Sequence, residues 1–331
     1  MKTKTIKDVV KKLKPAFKTN DISEFGQYVY FLEDRIMAYN GNVCIIVPTE
    51  NKQEVALPVD EFEKFVNRVS SDEIIMTIGD NVELKAGRAK ATFAINSDIL
   101  DKVKQINIQI PNKFTELPTK FIDGIKLTRH SISKDKGRED QTFLKVDGNI
   151  LASTDNFRVS EYVLDSDMES MFIPRDVLQY LISYNVKEYA VDEGVVYFKT
   201  EDDIYFMTRL GDVDFVEYKH LFEVQGNKFT FPKGMADMID TASITVDGIS
   251  DIDKIVKIVV SDGVITVSSQ NDVGRVEVEE KVDDKATDAS FFVNPEFMLD
   301  ILKVTNEAII TDNLILFTIE GFRQLIALFE E

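Results

Sequence analysis

The feature that most constrains this chain is a phrase it writes three times. EDRIMAYNGNVCIIVP (33–48), DGNILASTDNFRVSEYV (147–163) and SDGVITVSSQNDVGRVEVEE (261–280) each read as an Asp-led turn, an alternating apolar strand, a polar break and a second strand. One such hairpin is an ordinary short-range signal. Three of them, with Asp34, Asp147 and Asp262 lying 113 and 115 residues apart, require an architectural cause.

The repetition continues past each hairpin. ALPVDEFEKFVNRV, MFIPRDVLQYLISY and FFVNPEFMLDILKV each place a proline where a helix opens, the position at which its missing N–H costs nothing. Phe62, Phe65, Val66 and Val69 then share one helical face, as do Val177, Leu178, Leu181 and Ile182. Behind each helix comes a strand block opened by an acidic residue (EIIMTIGDNVELKAGRAKATFAI, EYAVDEGVVYFKTEDDIYFMTRL, EAIITDNLILFTIEGFRQLIALF), and ahead of each hairpin one more helical candidate (IKDVVKKLKPAF, KFIDGIKLTRHSIS, KGMADMIDTAS). The unit is therefore helix, strands, helix, strands. A repeat of this length is a whole domain, so an α+β fold of three tandem domains is expected, over 1–112, 113–227 and 228–331. The 331 residues, 44% of them hydrophobic, suffice to fill several cores.

Composition narrows the function. A single cysteine, Cys44, cannot form an internal disulfide, and MKTKTIKDVVKKLKP lacks the apolar run of a secretory signal, so a reducing, cytoplasmic setting is expected. No stretch approaches the roughly 18 apolar residues of a membrane span, and no membrane partner is expected. Enzyme chemistry finds little support: there are two histidines, His130 and His220, with no metal-ligand spacing, and no phosphate-binding loop, nucleophile elbow or dinucleotide fingerprint. No catalytic residue, metal or cofactor is expected.

The net charge of −19 argues against a polyanion partner for the chain as a whole, but it is unevenly spread. Residues 1–20 hold seven lysines against Asp8, while residues 231–331 hold eight Lys/Arg against twenty Asp/Glu. Lys7, Lys11, Lys14 and Lys18 lie along one helical stripe opposite Val9, Val10, Leu13 and Phe17.

The threefold period, with STDNFRVS, FIPRDVLQYL, RLGDVDFVEYKHLF, SSQNDVGRVEVEE and VNPEFMLDIL in order along the whole chain, resembles the bacterial sliding clamp family, the beta subunits of DNA polymerase III, with this chain a divergent or phage-encoded member. The resemblance implies a homodimeric ring, sheets outside and helices lining a hole for duplex DNA, bound without regard to sequence. Such a ring is not an enzyme; it tethers a DNA polymerase and is placed on DNA by a separate ATP-driven clamp loader. It implies DNA-facing roles for Lys7, Lys11, Lys14, Lys18, Lys64, Arg68, Lys126 and Arg129. Pro15 is expected to stop the first helix near Lys14, and the third-domain helix carries Asp237 and Asp240 with only Lys233 nearby. That acidity motivates an alternative, a clamp-derived adaptor or inhibitor that binds replication proteins without encircling DNA.

The resemblance also implies a groove for partner peptides built from Thr154, Arg158, Val159, Val216, His220, Leu221, Asn294, Phe297, Ile326 and Leu328. Val216 stands where the family usually has proline and His220 where it usually has arginine, which suits a different peptide. Plain core packing is the competing account of Val159, Leu221, Ile326 and Leu328. Ring closure would set Lys85, Arg88, Lys90 and Phe93 against Ile244, Glu277, Glu279 and Glu280 of a second copy, opposite charges fixing register.

Overall fold

The computed structural model describes residues 1–17, 24–50, 53–106, 108–246, 254–282 and 288–329. Seven α-helices lie among them: α1 (Thr3–Leu13), α2 (Val59–Arg68), α3 (Ser97–Gln105), α4 (Phe121–Thr128), α5 (Arg175–Tyr184), α6 (Met235–Ala242) and α7 (Pro295–Leu302). None is long and apolar enough to cross a membrane.

Local chemistry sets the helix ends. α1 buries Thr3, Ile6, Val9, Val10 and Leu13 and stops there, because Pro15 has no N–H to continue the ladder and sits in the 3-10 turn Lys14–Ala16. α2 carries Asp60 and Glu61 in its first turn and Arg68 in its last, matching its dipole. The Asn294 side chain accepts from the Glu296 N–H at 2.8 Å and caps α7, with Pro295 in the opening turn. α3 stands outside the threefold pattern. Asn96 caps it at the Ile99 N–H, 3.2 Å away, and Ile99 and Val103 pack with Tyr30, Met37 and Cys44.

The chain folds as two compact units, Met1–Leu117 with Ile173–Gly211, and Pro118–Phe172 with Asp212–Glu331. The first holds an eight-stranded sheet, in order Val55–Pro58, Tyr28–Phe31, Arg35–Tyr39, Val43–Pro48, Tyr205–Arg209, Val195–Lys199, Glu188–Asp192 and Thr115–Glu116. It also holds a three-stranded sheet, Ile75–Ile78, Asn81–Ala86 and Ala89–Ala94. The second unit holds a six-stranded sheet, Asn227–Thr230, Glu307–Ile310, Leu314–Ile319, Phe322–Ala327, Arg158–Pro174 and Phe143–Thr154. Its four-stranded sheet runs Arg275–Lys281, Val264–Gln270, Val256–Ser261 and Ala289–Val293. The strands pair antiparallel, within each repeat and across the junctions between repeats.

These sheets obey a rule. The hairpin block of the first repeat joins the later strand block of the second through Val43–Pro48 and Tyr205–Arg209, with Ile46 opposite Tyr205. The hairpin block of the second repeat joins the later block of the third through Arg158–Pro174 and Phe322–Ala327, with Arg158 opposite Ile326. The middle repeat thus gives one block to each neighbour, which is why the compact units do not follow the repeat. The later block of the first repeat and the hairpin block of the third remain as the two short sheets, edged by Ala89–Ala94 and Arg275–Lys281.

One repeated turn is not a turn. Asp262 and Gly263 take φ of 53° and 74° in the two-residue loop between Val256–Ser261 and Val264–Gln270, as an Asp-Gly hairpin requires. Asp147 and Gly148 instead lie inside the continuous strand Phe143–Thr154, where Gly148, at φ 61°, lets the strand pass as a local kink.

Candidate functional site

The predicted groove residues that lie on strands belong to the six-stranded sheet of the second unit, and strand alternation divides them. Val159 faces Leu325 across the ladder, Leu325 faces Leu316, and Leu316 faces Ile309. This row forms an apolar cluster with Ala152, Tyr218 and Phe222, flanked by Ile150, Phe215, Val224 and Leu314. Over it runs a connector, from Arg209 to Asn227, that has no strand and only the 3-10 turn Lys219–Phe222. The connector leaves Val216 41% and Leu221 37% exposed, unusual for large apolar side chains, with His220 exposed beside them.

Arg158 and Ile326, directly opposite each other, point to the other face. Ile326 is fully buried there. Arg158 is buried in a polar network: Nε donates to Asp155 Oδ2 at 3.0 Å, Nη1 to Asp300 Oδ2 at 3.3 Å, and Nη2 to the His130 carbonyl. Its guanidinium lies 4.0 Å from the centre of the Phe297 ring, which stacks on Phe157 at 6.2 Å. The two carboxylates respond in opposite directions. Burial raises Asp155 above the ordinary carboxylate range despite Arg158. Asp300 is only half-buried, and although burial raises it too, the hydrogen bond and charge of His130, then Arg158 and Lys303, bring it down to about 2.

Thr154 ties off the turn between the two strands, donating to the Arg158 carbonyl at 2.8 Å and accepting from the Asn156 N–H at 3.2 Å. Leu328, half-buried, donates its N–H to the Asn313 carbonyl at 2.9 Å. The structure therefore brings Val159, Val216 and Leu221 to one face and Arg158, Ile326, Asn294 and Phe297 to the other. Leu325, Leu316, Tyr218 and Phe222 join the first group unannounced by the sequence, since only the pairing register decides which of Leu325 and Ile326 faces Val159.

The basic residues are dispersed. On α1, Lys7 donates to the Val69 carbonyl at 3.0 Å, Lys14 pairs with Glu63 at 2.8 Å, and Lys11 is exposed with no ion pair among the described residues. Lys18 lies outside the described residues. Lys126 pairs with Asp123 at 2.8 Å, and Arg129 is half-buried in the 3-10 turn that follows α4. Lys64 and Arg68 line a cleft of about 660 Å³ with Ser70, Ser71 and Arg88. Two residues expected to face DNA thereby share a surface with one expected at a subunit seam. Lys85 lies opposite Lys90, which pairs with Glu83 at 2.5 Å, and Phe93 is half-buried opposite Val82. Glu277 and Glu279 are exposed and Glu280 half-buried on the edge strand Arg275–Lys281, and Ile244, just after α6, is 74% exposed. Cys44 is buried, which pushes its thiol well above the ordinary range and leaves it unreactive. Among the described residues no group of three or more His, Cys, Asp or Glu is placed to hold a metal ion.

No family model and no curated protein sequence matches the chain. Solved structures do, over its full length. The DNA polymerase III beta chain of Streptococcus pneumoniae TIGR4 matches with a TM-score of 0.84 at 17% identity, covering 100% of this chain and 98% of that one. The sliding clamp of Bartonella birtlesii, the DNA polymerase III subunit beta bound to griselimycin, matches at 0.86 and 14%, covering 100% and 99%. The beta subunit of Thermotoga maritima matches at 0.80 and 16%, covering 100% and 98%. Across all 331 residues, the fold of this chain is that of the sliding clamps, the beta subunits of DNA polymerase III.

Proposed function

We propose that the chain is a DNA sliding clamp: two copies close into a ring of six domains around duplex DNA and hold a replicative polymerase to its template. The observation that carries this is the pair of short sheets. In each unit a hairpin block is completed by the later block of the next repeat, yet among the described residues the three-stranded sheet has no hairpin block beside it and the four-stranded sheet no later block. The same rule applied between copies pairs Ala89–Ala94 of one with Arg275–Lys281 of the other. Doing so twice closes the ring and covers both of these edges. The charges suit the pairing, with Lys85, Arg88 and Lys90 on one side and Glu277, Glu279 and Glu280 on the other.

On this reading the three tandem domains are 1–112, 113–227 and 228–331, and the ring works in the cytoplasm, where it is opened by a clamp loader that supplies the ATP chemistry. Exposed Lys11 faces the duplex with Lys7, Lys14, Lys126 and Arg129, and topology rather than affinity keeps the ring in place. The apolar face of Val159, Leu325, Val216 and Leu221 takes the partner's peptide, two of its anchors being already half in water. A clamp-derived adaptor that does not encircle DNA is favoured by one observation, the exposed Asp237 and Asp240 on α6. Sedimentation velocity across a dilution series tests the ring. A two-chain particle, reduced to single chains by Arg88→Glu and restored by adding Glu279→Arg, is expected; a single chain at every concentration contradicts closure.

A further inference from the structure

The connector that carries Val216 and Leu221 has no strand to hold it, so something else fixes where those side chains stand. Glu161 and Arg323 lie directly opposite each other on neighbouring strands of the six-stranded sheet. Arg323 Nη2 donates to Glu161 Oε1 at 2.5 Å, and the Tyr218 hydroxyl donates to Glu161 Oε2 at 2.9 Å. The Arg323 guanidinium also covers the Phe222 ring, 4.3 Å from its centre. Tyr218 and Phe222 meet edge to face at 6.0 Å, and the turn between them carries Leu221. Glu161 is only 4% exposed, a costly place for a carboxylate unless its partners are fixed.

We infer that Glu161 and Arg323 form a polar clasp that grips the connector at two points, Tyr218 by its hydroxyl and Phe222 by its ring, and so sets the position of Leu221 and Val216. They are positioning residues for the partner groove, and the inference rests on reading that apolar face as a peptide site. An apolar pair would bury the connector equally well. A buried carboxylate with two directional partners fixes where it sits, which apolar packing alone does not. Glu161 lies on the groove face through alternation, two residues beyond Val159, and its charge is satisfied entirely by groups that hold the groove wall.

The test reads the wall and the groove separately. Hydrogen exchange follows the Leu221 amide, which donates to the Tyr218 carbonyl at 2.9 Å, in wild type, Tyr218→Phe and Glu161→Gln. In parallel, dissociation of a fluorescent synthetic peptide carrying two large apolar residues between neutral polar ones is timed. The clasp predicts exchange at Leu221 faster by about ten-fold or more in both variants, with the Phe322–Ala327 amides unchanged, and peptide release faster by a similar factor. Tyr218→Phe removes a single hydroxyl and keeps the test informative should Glu161→Gln loosen the whole sheet. Wild-type exchange and release in Tyr218→Phe overturn the inference. Faster exchange in the variants, with no peptide bound even by the wild type, upholds the clasp and overturns the peptide site.

Discussion

The two faces of the six-stranded sheet use buried polarity in opposite ways. On the side of Arg158 the charge is enclosed: two carboxylates, a carbonyl and an aromatic ring surround one buried guanidinium, with Asp155 and Phe297 buried and Asp300 and His130 half-buried around it. On the side of Val159 the polar groups lie beneath an apolar surface whose outermost members, Val216 and Leu221, remain in contact with water. The first face is finished by this chain. The second stays open to water at Val216 and Leu221, which is what the proposed peptide site requires.

That contrast is broken most severely at Arg158. Arg158→Ala leaves Asp155 buried without its partner, and a loss of about 3–5 kcal/mol in urea unfolding is expected. Adding Asp155→Asn should recover part of it, whereas a loss below about 1 kcal/mol would show that the enclosed face contributes little. Ile326→Ala, also on the enclosed face, should cost about 2–5 kcal/mol while leaving the affinity of the folded protein for peptide unchanged.

The acid side of the contrast is sharpened by Asp300. Its carboxyl is lowered from 3.8 to about 2 by His130 and Arg158, so the stability it adds is complete above the ordinary carboxylate pKa and drains away as the pH falls from about 4 towards 2. Asp155, raised by burial, binds its proton more readily when folded and works the other way. Urea midpoints measured across that window should fall less steeply in Asp300→Asn than in wild type; equal slopes would contradict the assignment. The smallest stability effect belongs to the open face. Leu221→Asp should change unfolding by no more than about 0.5 kcal/mol yet weaken peptide binding by at least about ten-fold, since it places a charge where an apolar anchor docks. A large stability loss would instead make Leu221 part of the core.

The repeat was plain in the sequence because helix starts and hairpins are local, and local signals survive without knowledge of the fold. Pro15 ends α1 through a missing hydrogen that any reader of the sequence can see. What the middle repeat does with its strands was not visible, for the pairing of Met207 with Cys44, or of Val159 with Leu325, joins residues more than 160 apart in sequence. The same limit hid the division of the groove residues. RQLIAL contains two candidates for one position, and only the register opposite Arg158 and Val159 tells them apart. α3 escaped because it occurs once, so no repetition pointed to it. The Glu161 clasp escaped because a glutamate in an alternating strand looks like a solvated one until its partners, Tyr218 and Arg323, are brought to it from far along the chain.

Retention on DNA is the measurement that bears most directly on a ring. The protein is placed on a nicked circular plasmid with a clamp loader and ATP, freed of the loader by gel filtration in high salt, and the plasmid is then cut once. A closed ring stays with the circle through the column and leaves within minutes of the cut by sliding off the ends. Equal retention on circular and linear DNA, or none on either while the peptide still binds, would contradict encirclement.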